Sequence, residues 1–414
     1  MTNLTHSILF LSTVFLLSLF SSCDSTDEPA PNPIGDPGEV GNIAEMNQKF
    51  SWDLFRELVK DNPGETVVYS PWSVQSALHM ALNGAAGNTL DEMLELLYCS
   101  NCSVEEINKH QAEMSEWLEK KSGHPNLTTA NGFFYDDKRI FVKESFFDAL
   151  KEHYHATDKI YDFKDPATPD FINNWVRTST EGKIEEIIEE IDDYDLAFLI
   201  NALYFKSDWA KGFDKNQTGD ANFVRSDRTT LSVPFMNADR SFNHTVHRNF
   251  SAVDIPFRDS TYSLTLIGHN ESDPGSLDWI NELDDAVVRE LYDHMTHDRI
   301  WLSFPKMELT FETDLPDIME KLGMRDAFSE TAANFSQLGQ ALIGPVIYIN
   351  QMKHKAVLDV DEKGVEGAAV TSIGFGTTSA PPMFRYNQPF VMIVRHIPSN
   401  TYVFQALVED PIMQ

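Results

Sequence analysis

The sequence predicts an α+β fold, and three observations carry the prediction. Residues 46–60, 70–93, 104–121, 145–153, 171–180 and 315–322 place apolar residues at helical spacing. Residues 127–135, 160–163, 197–205, 252–257, 262–267, 346–351, 356–360, 390–395 and 402–408 are short apolar or alternating runs of strand type. Between them lies residues 361–390, DEKGVEGAAVTSIGFGTTSAPPMFRYNQPF, which reads both as a loop and as a strand. Taken as a strand, Val365, Gly367, Ala369, Thr371, Ile373 and Phe375 share one face that is apolar or small throughout. The single charge of that run, Glu366, falls on the other face, and proline begins only at Pro381-Pro382, where a central strand would end. Yet Gly, Thr and Ser crowd its second half as in an exposed loop.

Composition narrows the function. A formal net charge of −32 over 414 residues excludes the basic footprint that nucleic acid requires. An apolar content of 42% is ample for a large core. Residues 8–19 are an apolar run too short to span a bilayer comfortably, so residues 1–23 read as an export signal. The run ends in Phe20-Ser21-Ser22-Cys23. Small residues before a single Cys resemble a bacterial lipoprotein cleavage site, which implies that Cys23 becomes a lipidated N-terminus. Phe20 departs from the usual aliphatic residue there, and an ordinary secretory signal is the alternative. Asp24, Asp27 and Glu28 resemble surface-export signals of some Gram-negative lipoproteins. The expected location is therefore the bacterial outer membrane or cell surface, or the extracellular medium, with membrane contact only through a lipid at Cys23. Residues 24–41, rich in Pro, Gly and acid, form a tether with a reach of about 20–30 Å.

In chain order, the first helix carries Met46, Phe50, Leu54, Phe55 and Leu58 on one stripe and is stopped by Asn62-Pro63-Gly64. Ser70 and Pro71 open the second helix as cap and first-turn residue. Its stripe of Ser73, Ala77, Ala81 and Gly84 is small enough for close backbone approach. Residues 104–121 hold more acid than base. Residues 197–205, AFLINALYF, are almost wholly apolar, as a strand buried on both faces should be. Their exception is Asn201, whose amide needs partners. Glu185-Glu186 and Glu189-Glu190 read as the solvated face of an acidic helix. Cys99 and Cys102, with no second such pair, form a local disulfide or remain two thiols, and zinc is not expected. The i,i+3 pairs His244/His247 and His294/His297 lack the acid or Cys to complete a metal site. Neither a nucleophile elbow nor a phosphate-binding glycine loop is present, so nothing specifies an enzyme, a metal or a cofactor.

Several stretches in order resemble one family. SPWSVQSALHMALNGAAGNTLDEM, Asn201, KSDWAKGF, FPKM, MKHKAVLDV, residues 361–380 and FRYNQPFVMIV are similar to the serpins, across about residues 42–411. The resemblance implies a single domain over residues 42–414, with three β-sheets, eight or nine helices and an exposed reactive-centre loop. It implies a hinge at Glu362, Gly364, Val365, Glu366, Gly367, Ala368 and Ala369. It implies a "shutter" at Ser70, Ser73, Asn201 and His354, with Ser70, Asn201 and His354 expected to share one hydrogen-bond network. It also implies a "breach" at Trp209 and Lys306, Lys306 pairing with Glu362. Residues 171–180 resemble the helix that crosses the main sheet. The acidic helix at 104–121 argues against heparin, because the corresponding helix of heparin-binding serpins is basic. Where the family mostly has Thr or Ser, Val365 stands; where Ala is usual, Gly367 stands; Ala406 replaces a usual Gly.

The implied function is irreversible suicide-substrate inhibition of serine, and also cysteine, endopeptidases by a monomer. The partner is the target protease, held as a covalent acyl complex. The spacing from Gly364 to Pro389-Phe390 is similar to that of typical inhibitory serpins, and the resemblance implies a scissile bond at Thr378–Ser379, with Phe375 as an alternative. No Lys or Arg lies between Lys363 and Arg385, which disfavours trypsin-like targets and favours elastase-like or subtilisin-like ones. The competing reading is a non-inhibitory serpin acting as a carrier or structural surface protein.

Overall fold

Ser70 caps the helix on which the sheets assemble. Its Oγ accepts the Ser73 amide at 3.1 Å, and Pro71 fills the first helical position, where no amide is needed. The computed structural model describes residues 41–119, 126–258, 260–270, 273–365 and 381–412, all within one compact unit, Pro31–Gln414. From the N-terminus come α1 (Gly41–Asp61), β1 (Val67–Tyr69), α2 (Pro71–Leu82), α3 (Gly87–Leu96) and α4 (Val104–Leu118). Next are β2 (Asn126–Tyr135), β3 (Ile140–Val142), α5 (Glu144–Tyr154), β4 (Thr157–Ile160) and α6 (Thr168–Ser179). The middle of the chain gives β5 (Ala197–Asp208), β6 (Gly219–Val224), β7 (Thr230–His247), β8 (Phe250–Pro256) and β9 (Tyr262–His269). Then follow α7 (Asp285–Asp293), β10 (Thr296–Pro305), β11 (Met307–Asp314), α8 (Pro316–Lys321), β12 (Gly339–Ala341), β13 (Lys353–Val360) and β14 (Gly364–Val365). β15 (Met383–Arg385), β16 (Phe390–His396) and β17 (Thr401–Val408) close the chain.

α2 is buried almost all round because it packs against β5 on one side and β17 on the other. The larger sheet has nine strands, in the order β1-β17-β16-β9-β8-β7-β10-β15 with β6 beside β7. β7 pairs with β6 and β10 along its length and with β8 at its end, so one long strand joins two sheets into a single ladder. The second sheet is divided. β14-β5-β2-β4 form one part and β11-β13 the other, while β12 pairs with β3. α6 crosses β2 and β5, as the resemblance implies. Eight α-helices lie among the described residues.

Four local expectations are corrected. The strand expected at 160–163 is β4, at 157–160; it is an exposed edge strand, so it carries no apolar periodicity, whereas Phe163 packs in the core beyond it. Residues 346–351 form no strand, having no ladder partner in the structure. The acid-rich run 185–190 is not helical. Ile184, Ile187 and Ile188 turn inward there, and Asn173 Oδ1 accepts the amides of Ile187 and Ile188, both at 3.0 Å, in place of helical carbonyls. Gly84 lies past the end of α2, where a Cβ would stand 2.7 Å from the Leu338 Cβ. Cys99 and Cys102 form a disulfide.

Candidate functional site: a cleft the width of one strand

β5 and β13 each have a ladder partner on their far side, β2 and β11 respectively, and among the described residues no ladder joins them to each other. The lower part of the gap is a 480 Å³ cavity. Its floor is Ser73, Val74, Ala77, Leu78 and Ala81 of α2, and its walls are Phe198, Leu199, Ile200 and Asn201 of β5 and residues 343–355. The small stripe of α2 thus faces the cleft. Higher in the gap lies a second, narrow crevice lined by Leu203, Tyr204, Phe205, Val357 and Asp359.

Side-chain alternation gives the cleft two different faces. Leu203 and Phe205 of β5, with Ala356, Leu358 and Val360 of β13, pack into the main core. Phe198, Ile200 and Ala202 of β5 and Val357 of β13 pack on the other side, with Ile172 and Val176 of α6.

At the top of the cleft the chain turns back into it. Gly364 and Val365 pair antiparallel with Asp208 and Ser207 of β5. The turn is pinned by several bonds. Asp361 Oδ1 accepts the amides of Lys363 at 2.7 Å and Gly364 at 3.2 Å, and the Asp361 amide donates to the Gly364 carbonyl at 3.0 Å. Trp209 donates its amide to the Lys363 carbonyl at 2.8 Å and its indole Nε1 to the Asp361 carbonyl at 2.9 Å. Phe213 donates to the Glu362 carbonyl at 2.7 Å. The Trp209 ring stacks on Phe257 with centroids 4.8 Å apart. Gly364 has φ +147°, and a Cβ there would stand 2.2 Å from the Ser207 carbonyl oxygen, so only glycine fits. Lys306 Nζ lies 3.3 Å from Glu362 Oε2; the lysine is partly exposed and the glutamate buried. Burial works against the Glu362 carboxylate. Its own backbone amide, the neighbouring Thr218 hydroxyl and the Lys306 ammonium outweigh that, holding its pKa below the ordinary glutamate value.

Lower down, the Ser70 amide donates to His354 Nε2 at 3.1 Å. That nitrogen is therefore the acceptor of a neutral ring, and full burial pushes the His354 pKa down to about 4. Asn201 is not part of this pair, contrary to the expected shared network. Its Nδ2 donates to Asn131 Oδ1 at 2.7 Å across the β2–β5 ladder, and its own Oδ1 is buried with no partner among the described residues. Ser73 contributes its backbone amide to Ser70.

Three side-chain links tie the α6–β5 connection to β13 and the segment that leads into it, on the far side of the cleft. Lys183 pairs with Asp359 at 2.7 Å and Glu189 with Lys353 at 3.1 Å. At the base, the Asp195 carboxylate accepts from the side-chain amides of Asn350 and Gln351 and, at 2.7 Å, from the Asp192 amide. Burial raises the Asp195 pKa, against the opposing effect of those donors. Asn131, Asp361 and Asp195 were missed by sequence reasoning, since a polar residue beside an apolar run announces no partner. His244 and His247 both lie on β7, whereas His294 ends α7 and His297 lies on β10; His247 stacks on His294, with centroids 3.9 Å apart. Glu366, Gly367, Ala368, Ala369, Phe375, Thr378, Ser379 and Cys23 lie outside the described residues.

The comparisons agree with this geometry. The family model "Serpin (serine protease inhibitor)" matches residues 45–411. Alpha-1-antiproteinase of Rattus norvegicus is 27% identical over 87% of this chain and 87% of its own length. The native-state crystal structure of the thermophilic serpin tengpin superposes with a TM-score of 0.82, at 27% identity, over 93% of this chain and 98% of that one. Human thyroxine-binding globulin shares the fold, with a TM-score of 0.81 at 23% identity, covering 90% and 99% of the two chains.

Proposed function

This chain belongs to the serpin family, and from that premise we propose that it is an irreversible suicide-substrate inhibitor of serine endopeptidases, and of cysteine endopeptidases, whose cleaved loop enters the cleft between β5 and β13. Serpin loop insertion is itself the recognised example of such strand addition. One observation carries the proposal for this molecule: the register of Gly364 and Val365 on Asp208 and Ser207. Continued downward, with each loop residue meeting a β5 residue one lower in number, it sets Thr371 opposite Asn201 and Phe375 opposite Ala197. Along β13 the turn bond from Asp361 to Gly364 sets Thr371 opposite His354 as well. Residues directly opposite share a face, so Val365, Gly367, Ala369, Thr371, Ile373 and Phe375 enter on the core side. That is the apolar face read from the sequence. Glu366 falls on the α6 side, away from the core.

The energetics favour entry once the loop is cut. Ile373 and Phe375 would fill the lower cavity, each stabilising by about 1.5–3 kcal/mol. The Thr371 hydroxyl reaches the level where Asn201 Oδ1 lacks a donor. Gly364 to Thr378 is 15 residues, a span of about 50 Å at about 3.3 Å per residue, ample to carry an acylated protease from one end of the sheet to the other. The bait is Thr378–Ser379, with Phe375 a secondary site. Thr378 suits elastase-like or subtilisin-like pockets. Only an acyl-enzyme is required of the target, so the protein does no catalysis of its own. We place the chain outside the cell, as a monomer, anchored through lipid at Cys23 or released. Among the described residues no helix is long and apolar enough to cross a membrane. The test is a denaturing gel of the protein mixed with elastase, on which a covalent complex is expected; the carrier reading predicts none.

A further inference from the structure

The link at the base of the cleft differs in kind from the two above it. Lys183–Asp359 and Glu189–Lys353 are partly exposed ion pairs, of the sort that contributes little. Asp195 is 1% exposed, and its carboxylate bonds Asn350 and Gln351 from the opposite wall. It is also held from behind: Arg139 Nη1 donates to the carbonyls of Asp192, Asp193 and Asp195, and Arg139 pairs with buried Asp136. So the carboxylate cannot drift aside with a loop. It is the fixed half of a fastening across the cleft.

Its level in the cleft matters. Asp195 lies just before β5 and Asn350 and Gln351 just before β13. In the register argued above, Gly374 meets Gln351, Phe375 meets Asn350 and Thr377 meets Asp195. A strand can therefore enter as far as Gly374 with the fastening closed. Any residue beyond it must pass between groups that are bonded to each other.

We propose that Asp195 is a positioning residue of loop insertion, a clasp with Asn350 and Gln351 that divides insertion into a free stage ending at Gly374 and a gated stage beyond it. This rests on the cleft between β5 and β13 being the acceptor of the loop. The gated stage covers the last four residues up to the bait, so the clasp decides whether the acylated protease completes its travel before deacylation. Opening it separates a buried carboxylate from two side-chain donors, which sets a barrier of about tenfold in rate.

Two synthetic peptides test this on the full chain: one copying residues 366–374, which stops above the clasp, and one copying 366–378, which must pass it. Uptake is followed as a gain in heat resistance. The wild type is compared with the double variant Asn350→Ala/Gln351→Ala, which leaves Asp195 its bond to the Asp192 amide, and with Asp195→Ala. The long peptide is expected to enter about tenfold faster in the variants, and the short one less than about twofold faster. Equal acceleration of both peptides would mean general loosening and overturn the clasp, as would no acceleration of either. Failure of both peptides to enter any version, together with no gain in heat resistance after loop cleavage, refutes the acceptor role of the cleft itself. The double variant keeps the question open to measurement if Asp195→Ala does not fold.

Discussion

Asn201 gives its side-chain amide to Asn131 and keeps a buried carbonyl oxygen that has no donor among the described residues. A buried acceptor without a partner costs about 1–3 kcal/mol. In the proposed insertion, a later strand entering the cleft supplies the donor. In the derived register that donor is the Thr371 hydroxyl. Thr371→Val keeps the shape and removes the hydroxyl. It should leave the intact protein unchanged and lower the stability of the loop-cleaved protein by about 1–3 kcal/mol, read by denaturant unfolding of both forms. Equal loss in the intact form would place Thr371 elsewhere.

In the proposed insertion, Val365 stands at the head of the core-facing row, opposite Ser207. Val365→Arg would bring a charge onto the face shared with Ala356, Leu358 and Val360, where an unpaired ion is strongly disfavoured. The variant should become a substrate: cleaved at the same bond, with its complex yield falling at least about tenfold. Inhibition at the wild-type yield would refute the assigned face.

The Lys306–Glu362 pair stands at the turn where the proposed insertion starts. With the lysine 43% exposed, its contribution to global stability is about 0–1 kcal/mol. Lys306→Met should therefore shift the denaturant midpoint little. It should speed spontaneous conversion to an inactive, heat-resistant form, because the buried carboxylate loses its counter-charge at the hinge. Unaltered conversion would assign the pair a surface role alone.

Acid sensitivity follows from the buried histidines. His354 has its pKa lowered from 6.5 to about 4 by burial, and His79 and His396 behave alike. Between those limits the unfolded chain binds protons that the folded chain refuses, so stability falls as pH drops from 6.5 towards 4 and this contribution levels off below. His354→Gln can still accept from the Ser70 amide while removing one such proton. The slope of stability against pH in this window should become shallower by up to about 1.4 kcal/mol per pH unit. An unchanged slope would mean that His354 carries its proton in the folded protein.

Much of this was legible in the sequence, for physical reasons. The Ser70 cap with Pro71, the apolar run of β5 and the strands after Pro389 are local signals, and they appear where expected. Trp209, Lys306 and Glu362 are brought together as the family resemblance implied. The division between β5 and β13 was not legible, because pairing is a relation between distant segments and residues 346–351 are apolar enough for a strand whether or not a partner stands beside them. Nor was Asn131 as the partner of Asn201, since register fixes that contact and composition does not. The run 183–196 misled because acidic residues mask the inward Ile184, Ile187 and Ile188. Asp195 reads as one more acid in that run, and only the fold brings it to Asn350.

The most direct measurement is the product of mixing the protein with elastase, resolved on a denaturing gel with and without prior cleavage of the loop. The account predicts a covalent complex that survives denaturation, a small released fragment beginning at Ser379, and a large gain in heat resistance of the cleaved inhibitor. Clipping of the loop across a panel of serine and cysteine proteases, with no complex and no gain in heat resistance, would contradict it.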